Sequence, residues 1–142
     1  MLEIIPFEPK HFSEISLQDE QAYLAGWVTP AQAEELTNYT SLTAMSSGKV
    51  KAIAGIFPVW AGRSLAWSYL SDMGPKVFLK VHHAIKRQLD IEDSKRIEMT
   101  VDCDMVTGHR WARLLGFKME AECMTAYGPG GRDCSLYARI KT

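Results

Sequence analysis

The chain has 142 residues, 46% hydrophobic and 23% charged, which fits one globular domain and argues against a second. A formal net charge of -1 and a pI near 6.4 give no chain-wide attraction to nucleic acid or to an anionic membrane. Cys103, Cys123 and Cys134 lack C-x-x-C spacing and cannot all pair within the chain, and no apolar run has the length or flanks of a signal peptide or a bilayer span, so the expected place is a reducing cytoplasm.

Residues 2–6 (LEIIP) read as a short first strand closed by proline. Glu8 and Pro9 open a helical stretch, because the missing N–H of proline costs nothing at the first helical position; Phe12, Ile15 and Leu24 form its apolar stripe. After a break at Gly26, Thr29-Pro30-Ala31-Gln32 has the residues of a capping box and predicts a second helix to about Asn38. Over residues 41–70 the spacing becomes strand-like, with breaks at 46–48 and 61–63, and three antiparallel strands fit: LTAM, VKAIAGIFPVW and SLAWSYL. The middle one is apolar on both faces around Ile53, Ala54, Ile56 and Phe57, which suits a central strand covered on both sides; Gly55 within it permits a bulge or a close backbone approach.

Ser71-Asp72-Met73-Gly74-Pro75 ends that run and starts an amphipathic helix over 76–89. Val77, Phe78, Val81, Ile85 and Leu89 mark its apolar side, and Lys76, Lys80, His83 and Arg87 the other. Residues 96–103 alternate, with Ile97, Met99, Val101 and Cys103 on one face and Glu98, Thr100 and Asp102 on an acidic second face. Residues 106–115 form a shorter helix carrying Trp111, Leu114 and Leu115, stopped by Gly116. Residues 118–127 and 134–140 flank the turn GPGGRD as a terminal hairpin. The order is β-α-α-β-β-β-α-β-α-β-β in a single domain, residues 1–142.

This order, with HRWARLLGFKMEAE between the last helix and the hairpin, resembles the Gcn5-related N-acetyltransferase (GNAT) superfamily over nearly the whole chain. The most specific piece is WARLLGF, residues 111–117, which is similar to the family's aromatic-rich helix ending in Leu-Gly-Phe. The resemblance implies an α/β (α+β) fold with a mixed, mostly antiparallel sheet and helices on both faces. It also implies an N-acyltransferase that takes acetyl-CoA, or another acyl-CoA thioester, as co-substrate and an amine on a protein or a metabolite as acceptor. More narrowly, the short helical turn, the H-R-W helix start and the compact hairpin are similar to GNAT-like proteins of tailed bacteriophages, the internal virion protein A group. That would imply a virion or host protein as partner, or a scaffold that has lost catalysis.

In the superfamily a loop of pattern R/Q-x-x-G-x-G/A, after the fourth strand, holds the cofactor pyrophosphate on backbone N–H groups and a helix N-terminus. The matching segment here is SDMGPKVFLK, which has one glycine, no Arg or Gln at its start, a Pro75 without an N–H, and an Asp72 that repels phosphate unless Lys76 or Lys80 compensates. The resemblance assigns Tyr69, Leu70 and Ser71 to the pantetheine and thioester carbonyl, and Met73, Gly74 and Lys76 to the pyrophosphate, in a cleft where the fourth and fifth strands diverge. The plainer alternative is that Ser71 or Asp72 caps a core helix.

Transfer from a thioester to an amine needs a base, an oxyanion stabiliser and an acid for the leaving thiolate. Glu98 and Asp102 are the candidate bases, with Asp104 just beyond; the alternative is that these acids face solvent or pair with lysines. The family's usual acid, a tyrosine four residues before the glycine of Leu-Gly-Phe, corresponds to Ala112. His82 and His83 point about 100° apart and cannot converge on one substrate, nor does any i, i+4 pair make a metal site. His82 is expected to rim the core beside Phe78, and Cys103 and Cys123 to lie in the core. Trp60, Trp67, Tyr69 and Trp111 suit either an acceptor pocket or core packing, and the basic helix face is expected to be solvated and not to hold nucleic acid.

Overall fold

Period-two stretches become strands and period-3.6 stretches become helices at nearly the expected places. The structure, a computed structural model, describes residues 1–142. β1 (Leu2–Ile5), α1 (His11–Glu14) and a 3-10 turn (Asp19–Leu24) come first, followed by α2 (Pro30–Leu36), β2 (Ser41–Ser46), β3 (Lys49–Trp60), β4 (Arg63–Leu70) and the long α3 (Pro75–Ile91). β5 (Arg96–Asp102), α4 (Val106–Leu114), β6 (Lys118–Met124) and β7 (Cys134–Ile140) complete the chain. The fold is mixed α/β, with a seven-stranded sheet ordered β1-β2-β3-β4-β5-β7-β6. β4 and β5 are parallel, whereas β1/β2, β2/β3, β5/β7 and β7/β6 are antiparallel.

The expected first helix is the element that changes. It breaks into the four-residue α1 and the separate 3-10 turn because its polar groups find partners far along the chain. Buried His11 accepts the Glu8 N–H on Nδ1 at 3.0 Å, and the same nitrogen lies 2.7 Å from the Thr43 hydroxyl of β2. Gln18 and Gln21 bond to β4, so the intervening backbone runs extended at Ile15 instead of continuing the helix.

The chain divides into two compact units. The first comprises Met1–Phe57 and Trp67–Glu92. Its core is Phe7, Val50 and Ile53, with Phe12, Ile15, Leu36, Met45, Trp67 and Tyr69 packed around them. The rings of Phe7, Phe12 and Trp67 lie 5.4–5.8 Å apart, which places Trp67 in the core. A Cβ on Gly55 would sit 2.7 Å from both the Thr40 carbonyl and the Trp67 ring, so this strand residue is glycine because of a close approach. Along α3, Val81, Ile85 and Leu89 are buried at a spacing of four, each contributing roughly 1.5–3 kcal/mol of burial. His82 stacks on Phe78, and burial, followed by the charges of His83 and Lys86, lowers its pKa. The capping box forms as expected: Thr29 Oγ1 accepts the Gln32 N–H at 3.1 Å and Gln32 Oε1 accepts the Thr29 N–H at 2.9 Å.

The second unit comprises Pro58–Ala66 and Asp93–Thr142. β4 pairs with β5 from Arg63↔Arg96 to Leu65↔Glu98, and β7 runs between β5 and β6. α4 stops at Leu115. Gly116 adopts φ 93° and donates its N–H to Arg113, while Phe117 donates to the Ala112 carbonyl and buries its ring. β6 ends at Met124, short of the expected 127, because Ala126 turns to φ 55° with its N–H on Asp133. The cysteines differ from expectation: Cys134 is buried, but Cys103 is half-buried and Cys123 exposed. A hydrogen bond with Cys103, helped by local burial, raises the Cys123 thiol to about 11, which leaves it protonated at neutral pH.

Candidate active site

β4 runs into α3 through Ser71, Asp72 and Met73. The Ser71 N–H and hydroxyl both reach the Lys51 carbonyl of β3, at 2.9 and 3.2 Å, so Ser71 is tied to the sheet. The N-cap of α3 is Gly74, extended and without a side-chain cap, with Pro75 following. Neither Ser71 nor Asp72 caps the helix, contrary to the plainer alternative. A Cβ on Gly74 would meet nothing within 4 Å, and Gly74 and Lys76 are exposed, with Met73 half-buried. The N–H groups of Lys76 and Val77 have no intrahelical partner in such a first turn and point toward whatever approaches it.

Tyr69 turns its ring edge-on to Phe12 at 5.0 Å, and burial pushes its hydroxyl pKa up, so it stays protonated. It lines a groove of about 750 Å³ together with Phe12, Ile15, Leu17, Leu24 and Val28, where Lys10 is the single charged lining residue. The main chain beside it is already bonded. The Leu70 N–H donates to Gln21 Oε1 at 2.7 Å, its carbonyl accepts the Gln18 N–H at 2.9 Å, and the Ser68 carbonyl accepts from Gln21 Nε2 at 3.0 Å. Sequence reasoning did not single out Gln18 or Gln21, because glutamines in a polar stretch read as solvated.

In the second unit the two carboxylates of the acidic β5 face are buried and paired with arginines, while Thr100 between them is exposed. Glu98, 6% exposed, accepts two hydrogen bonds from Arg63, at 2.8 and 2.9 Å, and one from Arg96 at 2.5 Å; Arg96 extends the chain of pairs to Glu120. The Arg63 hydrogen bonds, opposed by burial and reinforced by Arg96, lower the Glu98 carboxyl to about 2, where it accepts a proton poorly. Asp102 is also buried; Arg132 and the Asp104 N–H hold its two oxygens, and its pKa is lowered with the Arg132 bond as the main cause. Ala112 is fully buried. His109 bridges the Tyr137 hydroxyl at 2.7 Å and the Cys103 carbonyl at 3.0 Å, so both ring nitrogens serve packing.

No protein-family model matches the chain, and no curated protein matches it in sequence. Solved structures do. A ribosomal-protein-alanine N-acetyltransferase from Brucella melitensis superposes with a TM-score of 0.73 at 13% identity, over 98% of this chain and 99% of that one. A GNAT-family acetyltransferase from Streptococcus pneumoniae gives 0.71 at 15% identity, over 99% and 100%. The chain has the GNAT fold. A GNAT-superfamily phosphinothricin acetyltransferase from Sinorhizobium meliloti, solved with acetyl-CoA, gives 0.71 at 15% identity over 98% and 88%. The narrower resemblance to tailed-phage proteins finds no support among these GNAT structures.

Tyr69, Leu70, Ser71, Met73, Gly74 and Lys76, the residues assigned to the cofactor by the GNAT resemblance, lie together at the junction of β4 and α3, but the donors of Leu70 and Ser71 are engaged within the chain. Glu98 and Asp102 lie four residues apart on β5, the first held by Arg63 and Arg96 and the second by Arg132. Trp60 is exposed, with the Arg63 guanidinium 4.7 Å above its ring, and Trp111 is buried, so neither lines the groove beside Tyr69.

Proposed function

We propose that the chain is a GNAT-type N-acyltransferase that binds acetyl-CoA, or a related acyl-CoA, at the β4–α3 junction and acylates an amine. The observation that carries this reading is the open, uncapped start of a 17-residue helix at Gly74, with exposed Lys76 beside it. A diphosphate there would accept hydrogen bonds from the first-turn N–H groups and offset the charge of Lys76. Met73 flanks the same turn. The main chain at Tyr69 and Leu70 would take the pantetheine arm and thioester carbonyl in place of the Gln18 and Gln21 bonds, with Ser71 holding the strand to β3. The apolar groove beside Tyr69 is suited to an acceptor, small or protein-borne, whose amine sits on an apolar body.

In the reaction the amine nitrogen attacks the thioester carbon, the carbon–sulfur bond breaks, and the products are an amide and the coenzyme A thiol. The nitrogen loses one proton and the thiolate gains one. Asp102, with one arginine partner on an exposed turn, is the better proton acceptor; Glu98, gripped by two guanidinium groups, anchors the strand. With Ala112 buried at the family's acid position, the thiolate takes its proton from solvent.

A second reading, a scaffold without turnover that serves in phage assembly or host interaction, draws on the engaged donors of Leu70 and Ser71. Thermal denaturation with acetyl-CoA separates the two. A ligand at about 100 times its Kd stabilises a folded protein by about 2.7 kcal/mol, a rise of about 8 °C in Tm for a chain this size. A rise with thiol release in the presence of amines supports the enzyme; neither effect at millimolar acetyl-CoA leaves the scaffold.

A further inference from the structure

The register of β4 with β5 ends at Leu65↔Glu98. Further along, Ser71 bonds to Lys51 of β3, so by strand alternation the backbone groups of Leu70 point away from β3, toward the edge left open beyond Leu65. That edge is filled by a side chain. The Gln21 carboxamide accepts from the Leu70 N–H and donates to the Ser68 carbonyl, as the amide of a neighbouring strand would. Gln18 supports it twice, giving its backbone N–H to the Leu70 carbonyl and its side-chain Nε2 to Gln21 Oε1 at 3.1 Å.

The element that carries Gln21 is built lightly. It is a six-residue 3-10 turn without a side-chain cap, and Gln21 is its one buried residue. Asp19, Glu20 and Ala22 are exposed, and Gly26, at φ 81°, follows with no atom within 4 Å of where a Cβ would lie. Ala22 and Leu24 of the turn line the apolar groove beside Phe12, Ile15 and Tyr69, so withdrawal of the turn widens that groove.

We propose that Gln21 is a self-occupying gate: its carboxamide holds the β4 backbone groups that the amide-bearing arm of an acyl-CoA would use, so cofactor entry requires the turn Asp19–Leu24 to withdraw. The inference rests on the acyltransferase reading and adds its regulation. The closed fraction lowers apparent affinity in proportion, and anything that draws the turn outward raises it.

The test uses the full chain with Gln21→Ala and Gln21→Met, the second keeping side-chain bulk so that folding is retained. Isothermal titration with acetyl-CoA should give a Kd about tenfold lower for the variants than for the unmodified protein, the equivalent of losing the two competing hydrogen bonds. In the unmodified protein, acetyl-CoA should speed hydrogen exchange at the Gln18 amide, whose bond to Leu70 is given up. Binding by the variants alone also supports the gate. Equal or weaker binding by a folded variant, or a Gln18 amide equally protected with and without bound acetyl-CoA, overturns the gate and leaves the acyltransferase reading in place. No binding by any of the three proteins removes both.

Discussion

Replacing Glu98 with glutamine keeps the shape of the side chain and removes the charge on which Arg63 and Arg96 converge. Holding that carboxyl near 2, against an ordinary 4.5, sets an upper bound of about 3 kcal/mol on what the charge contributes. Arg63 and Arg96 remain 30% and 28% exposed, so water screens the pairs and the expected loss is about 2 kcal/mol. For a chain of this length that lowers Tm by about 6 °C at neutral pH. The pH dependence has a definite sign: a depressed carboxyl stabilises the fold above its unfolded pKa and loses that effect as pH falls through its folded pKa. The gap between the two proteins should therefore close between about pH 4.5 and about pH 2. Thermal melts followed by far-UV circular dichroism across that range measure it, with turnover assayed in parallel. A variant that melts with the unmodified protein at neutral pH yet loses all turnover would refute the ion-pair argument and make Glu98 the base.

Gly74→Val should leave the melting temperature of the free protein nearly unchanged, because its Cβ meets nothing, while abolishing the rise caused by acetyl-CoA; a surviving rise would put the diphosphate elsewhere. Gly55→Ala should cost about 2 kcal/mol in urea denaturation, since the new methyl group collides with the Thr40 carbonyl and the Trp67 ring. Ala112→Tyr, at a fully buried position, should destabilise the fold by about 1–3 kcal/mol and not restore an acid; a stable variant with faster turnover would contradict this. Asp102→Asn should reduce turnover more than Glu98→Gln does, and equal effects in steady-state assays would remove the distinction between base and anchor.

Much of the architecture was legible in the chain because its determinants are local. The capping box needs residues three apart, Thr29 and Gln32, and the stop of α4 needs only Gly116 in a left-handed conformation. The β and α periods of residues 41–103 carry their own burial patterns, so the strand and helix order, and with it the GNAT fold, could be read in advance. The candidate cofactor residues, assigned by the GNAT resemblance, fall at the end of β4 and the start of α3.

What the tertiary structure decided is where polar groups find partners. Glu98 meets Arg63 across 35 residues and Asp102 meets Arg132 across 30, so two carboxylates on a strand face that alternation leaves in solvent become buried beneath partly exposed arginines. The Ser71 hydroxyl goes to Lys51, 20 residues back, and α3 starts at the N-cap Gly74, which has no side chain to cap it. His11 and Gln21 reach 32 and 49 residues to β2 and β4 and break the first helix in doing so. A buried donor or acceptor must be satisfied by whatever group the fold brings within about 3 Å, and sequence spacing encodes the period of an element but not which distant group arrives beside it.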